Sequence, residues 1–69
     1  MHDLTTHAAL VLQCINPVLR PVVLVWVREL TPRQAITLAS EMAYLAKRDG
    51  DADGYFRWLK AVQGLTHLQ

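Results

Sequence analysis

Apolar residues recur at helical spacing over the first fifteen positions: Leu4, Ala8, Val11, Leu12 and Ile15 fall on one stripe, with Thr6, Ala9 and Gln13 opposite. This pattern predicts a first helix over Asp3 to Ile15, with Asp3 as N-cap and the Asn16-Pro17 pair as its stop. Val18 to Arg20 then forms a short connection.

The pattern changes between Pro21 and Thr31. Four valines, a leucine and a tryptophan follow one another with no polar residue among them. Valine branches at Cβ, is stiff at its first side-chain torsion and suits a pleated surface. The stretch Val22 to Glu29 is therefore predicted as a β-strand, with Val23, Val25 and Val27 on one face and Val22, Leu24, Trp26 and Arg28 on the other. A single strand leaves its backbone groups unpaired, so the reading implies a partner strand from a second copy of the chain. Val23, Val25, Val27 and Trp26 become the expected dimer interface. A buried, valine-rich helix over 21 to 30 is the alternative, since a window this short fits both periods.

Thr31-Pro32-Arg33-Gln34 satisfies the capping-box pattern, with threonine at the N-cap, proline at the first helical position and glutamine at the third. The helix it starts carries a broad apolar arc of Ala35, Ile36, Leu38, Ala39, Met42, Ala43, Leu45 and Ala46. It should stop at Gly50, with Lys47 and Arg48 in the last turn, where positive charge suits the helix dipole. The turn that follows leads to a last helix of about three turns, capped by Asp51 or Asp53 and fraying at Gly64. Tyr55, Trp58, Leu59, Val62 and Leu65 share its apolar stripe, with Phe56 at the border.

Composition sharpens this outline. A chain of 69 residues is one small domain at most, in the range where oligomerisation often supplements a marginal core. An apolar fraction of 52% is too high for disorder. The net charge of +1 shows none of the basic excess typical of phosphate binding. The apolar span from Ala8 to Val27 is interrupted by Gln13, Asn16, Pro17, Arg20 and Pro21, which argues against a membrane span. Asp3 and the missing basic n-region argue against a signal peptide. With a single cysteine, the chain fits a reducing, cytoplasmic setting.

Catalytic and metal chemistry find little to build on. His2 and His7 are five apart, which does not match ligands on one helical face, and His67 is remote in sequence. Ser40 is the only serine and has no activating neighbour. The Asp51-Ala52-Asp53-Gly54 run lacks the further acids of a calcium loop and reads as helix capping. Cys14, among Val11, Leu12 and Ile15, reads as a small buried hydrophobe. The expectation is a protein with no enzymatic activity, no cofactor and no metal.

A strand ending in Val27-Arg28, a capped helix from Thr31 to Arg48, a short turn and a second helix ending near Leu65 resembles, in element order, the ribbon-helix-helix family of small dimeric repressors. The resemblance covers about two-thirds of the chain and implies an antiparallel intersubunit ribbon reading the DNA major groove. The family's reading positions would fall on Val22, Leu24, Trp26 and Arg28, of which only Arg28 can hydrogen-bond to a base or phosphate.

The sequence thus predicts a mainly α protein with one β-strand, in the order helix-strand-helix-helix, its strand paired across a homodimer; the alternative is an all-α bundle. Its expected function is binding to a larger protein, such as a transcription regulator or an ATPase, and modulating or inhibiting it, in the manner of phage or plasmid accessory proteins. A DNA-binding repressor or antitoxin of ribbon-helix-helix type is the second expectation. Tyr44 stands out of the apolar arc of the third element, on a polar face with Arg33, Thr37, Ser40, Glu41 and Arg48. Interface hot spots favour tyrosine and arginine among polar groups, so Tyr44, Arg33, Arg48, Glu41 and Thr37 are the candidate partner-binding residues.

Overall fold

The computed structural model describes residues 4–68 and contains four helices: α1 (Thr6–Cys14), α2 (Arg20–Arg28), α3 (Pro32–Arg48) and α4 (Ala52–His67). There is no strand among the described residues. The segment expected to be a strand is α2, so the all-α alternative holds. The intersubunit ribbon falls with the strand, and with it the ribbon-helix-helix resemblance and the DNA-reading role it implied.

Local chemistry explains why the valines coil. Pro21 lies in the first turn of α2, where its missing N–H costs nothing and its fixed φ suits a helix. The N–H groups of Val22 and Val23 both donate to the Leu19 carbonyl, at 3.0 and 3.1 Å, so the turn is closed before the valine run begins. Valine's handicap in a helix is only a few tenths of a kcal/mol per residue, and packing outweighs it: Val27 is completely buried, and Val23 packs one turn earlier against the same core. Helical rotation separates the expected dimer-interface residues. Val23 and Val27 face inward, whereas Val25 and Trp26 are exposed.

The other helices keep the predicted caps with some shifts. The side chain of Thr5 accepts from the N–H of Ala8 at 3.2 Å and caps α1; the expected cap, Asp3, lies outside the described residues. At α3 both capping-box bonds are present: Thr31 Oγ1 accepts from Gln34 N at 3.1 Å, and Gln34 Oε1 from Thr31 N at 2.9 Å. Gly50 has φ +77°, the left-handed conformation that lets Asp51 N–H reach back to the Ala46 carbonyl and Gly50 N–H to that of Lys47. Of the two candidate caps for α4, Asp51 serves, accepting from Gly54 N at 2.9 Å. The helix does not end at Gly64 but runs on to His67, 16 residues in all. A methyl group at Gly64 would stand 3.4 Å from Leu10 Cδ1, so the glycine lies where α1 comes close to α4.

α3 and α4 form an antiparallel hairpin, the most extensive pairing in the molecule, and α1 packs against both. Ala35, Ala39 and Ala43 recur every fourth residue on α3 and are buried. With Gly54, Trp58, Ala61 and Leu65 of α4 and Ala8, Val11 and Cys14 of α1, they make up the core together with Val27. The Cα atoms span 36 × 29 × 14 Å. The short dimension matches two layers of helices, given a Cα radius of about 2.3 Å and axes about 8–10 Å apart. Among the described residues the backbone of α2 lies close to α1 alone, while its Val27 side chain enters the shared core.

Candidate functional site

The polar face of α3 is fully presented to solvent. Tyr44 is 65% exposed, and Arg33, Thr37, Ser40, Glu41 and Arg48 are exposed with it. The capping box fixes where α3 starts and hence which residues this face carries. Arg48 Nε sits 3.4 Å from Asp49 Oδ1, a surface pair that adds little stability.

Beside this face lies a groove of about 440 Å³ lined by Trp26, Leu30, Arg33, Gln34, Thr37, Leu38 and Glu41. Trp26, Leu30 and Leu38 give it apolar walls, while Arg33 and Glu41 put one charge of each sign on it. The fold thus brings three of the residues expected to bind a partner, Arg33, Thr37 and Glu41, together with Trp26. Tyr44 and Arg48 lie further along α3, outside the groove. The tryptophan's contribution was hidden by the strand reading, which placed it across a dimer ribbon. Period-3.6 counting from Val27 would have set it on the flank of α2.

Two side chains fix the elements around the groove. His7 Nε2 lies 2.8 Å from the Leu30 carbonyl and 3.2 Å from Thr5 Oγ1. The ring nitrogen donates to the carbonyl, tying the start of α1 to the junction between α2 and α3. Arg20, the first residue of α2, donates from Nε to the carbonyls of Leu12 (3.1 Å) and Ile15 (3.0 Å) and from Nη2 to that of Gln13 (3.0 Å). A helix leaves its last carbonyls unpaired, and here one guanidinium serves three carbonyls at the end of α1. Nothing in the sequence pattern of Arg20 announced this role, because its partners depend on how α2 folds back on α1.

On another side of the molecule, a cleft of about 300 Å³ is lined by Leu10, Gln13, Cys14, Arg57, Lys60 and Ala61. Cys14 Sγ lies 3.6 Å from the Leu10 carbonyl and 3.5 Å from that of Arg57, both acceptors for its proton. Burial pushes the thiol pKa up, against the opposing pull of Arg57 and Arg20, which favours the protonated thiol. At the far end of the α3–α4 hairpin, Lys47 Nζ stands 5.7 Å from the Tyr55 ring centre, and Tyr55 meets Phe56 edge to face at 5.3 Å. Among the described residues no three His, Cys, Asp or Glu side chains converge as metal ligands, and no helix is long and apolar enough to cross a membrane. His67 is exposed in the last turn of α4, and His2 lies outside the described residues.

Over the described residues, fold and surface together define a small all-α, four-helix domain with a mixed-charge groove on one face. No protein-family model, curated protein or solved structure matches the chain.

Proposed function

We propose that this protein is a non-enzymatic binding module that docks on a larger protein, such as a transcription regulator or an ATPase, and modulates or inhibits it. The observation that carries this reading is the groove in which Arg33, Thr37 and Glu41 meet the half-exposed ring of Trp26. Aromatic and arginine side chains bordered by polar groups are the usual anchors of protein interfaces. The occupant that fits is an amphipathic helix of the partner, laying apolar side chains against Trp26, Leu30 and Leu38 and offering charges of both signs to Arg33 and Glu41. Tyr44 and Arg48 extend the contact along α3.

Affinity capture from the source cell, followed by titration of the purified partner, tests the reading. Tyr44→Ala and Trp26→Ala should each weaken binding by about thirtyfold, the effect of losing a hot spot of roughly 2 kcal/mol. Tyr44→Ala should leave the melting temperature within the small range of surface substitutions, about 0.5 kcal/mol. Unchanged binding by both variants would move the docking face elsewhere.

A further inference from the structure

The outer face of α2 is apolar, and among the described residues nothing covers it. Val18, Val22 and Val25 are 79%, 78% and 65% exposed, and Leu19 and Trp26 flank them at about half exposure. Val22 and Val25 sit opposite Val27, whose side chain the core buries completely. We propose that this face binds a second copy of the chain, with the two α2 helices packed antiparallel about a two-fold axis between Val22 and Val25. The proposal goes beyond the partner-docking reading and does not depend on it, although the two surfaces share Trp26 at their border.

Area supports a second copy. A buried aliphatic side chain removes on the order of 100 Å² from water and a tryptophan about twice that, so these five, each half to four-fifths exposed, offer roughly 300–400 Å² of apolar surface. A stable interface buries about 800 Å² per partner, of which the apolar core is the larger part. The patch supplies up to about half of that area, and the exposed Pro17, Pro21, Arg28 and Glu29 around it are left to form the rim. Among the described residues α1 is the one helix whose backbone lies close to α2, so a second α2 would supply a neighbour for its outer face.

Charge selects the orientation. Arg20, the one charged residue between Val18 and Val25, turns its guanidinium back to the end of α1, and a net charge of +1 per chain gives two copies little reason to repel. Glu29 continues the stripe one turn beyond Val25. In a parallel pair it would face the same residue of the second copy, and like charges would meet. In an antiparallel pair it lies beside the amino end of the second α2, where the helix dipole favours an acid. A two-fold contact needs a self-complementary surface, and short valine side chains centred on the axis provide one.

Sedimentation equilibrium on the full chain, without any partner protein, tests the proposal. The wild type should be dimeric at tens of micromolar. Val22→Glu and Val25→Glu should raise the dimer dissociation constant at least about a hundredfold while keeping the helical circular dichroism, because both positions are solvent-exposed in the monomer. A short bismaleimide should join Val25→Cys chains in pairs and leave Lys60→Cys chains single, with the wild type, whose only thiol is the buried Cys14, as the blank. Should a glutamate variant unfold, the crosslinking result decides. A monomeric wild type, dimers that survive both glutamates, or equal crosslinking through position 60 would overturn the proposal. Since no partner is present, these results stand apart from those of the capture experiment.

Discussion

Arg20 Nε lies 3.0 Å from the carbonyl oxygen of Ile15, the C-cap of α1, and the same guanidinium reaches the carbonyls of Leu12 and Gln13. One side chain therefore both closes α1 and fixes where α2 departs from it.

Arg20→Ala should destabilise the monomer by about 2 kcal/mol, the range for hydrogen bonds made by a charged group when part of the network can turn to water. Arg20→Lys should recover less than half of this, because an ammonium cannot reproduce the planar fork. Urea unfolding of the three proteins measures both, and a loss below about 0.5 kcal/mol would show that water replaces the guanidinium at the end of α1.

Valine substitutions along α2 separate its two faces. Val27→Ala should cost about 2 kcal/mol of monomer stability, since it opens space in a filled core. Val25→Ala should change it by about 0.5 kcal/mol or less when measured in dilute solution, where any pairing between copies is broken. A strand would have made these positions equivalent, so equal losses would contradict the helix.

Ala39 has no exposed surface on the face that α3 turns to the core. Ala39→Leu should therefore destabilise by about 1–3 kcal/mol through overpacking, whereas Ser40→Leu, one position round the helix and exposed, should be close to neutral. Thermal unfolding of the pair tests how closely the helices approach.

Cys14 should react slowly with a thiol reagent in the native protein and rapidly once denaturant is added. Since burial raises its pKa above the usual thiol value, the folded state favours the proton. The stability this contributes is complete below the thiol's ordinary pKa and is lost as pH rises through the higher folded value. Labelling of the native protein as fast as that of the unfolded chain would contradict the buried placement.

Local sequence was enough to determine both ends of α3 and, to within the choice of Asp51 or Asp53, the start of α4. The capping box at Thr31 and Gln34, the left-handed turn at Gly50 and the cap at Asp51 each use side chains within three or so residues of the backbone they serve, so their chemistry is complete in a short window. The exposure of Tyr44 and its polar neighbours was legible for a related reason: one well-started helix of 17 residues has a definite periodicity. The state of Val22 to Arg28 was decided by tertiary structure. Its local preference favours a strand by a margin small enough for burial of Val27 and Val23, and for Arg20's grip on α1, to override. The groove depended on the same outcome, because Trp26 joins Arg33, Thr37 and Glu41 only when α2 is helical and α1 holds it in place. A strand would have sent alternate valines to opposite faces; the helix divides them between the core and a solvent-facing surface that no local pattern could assign.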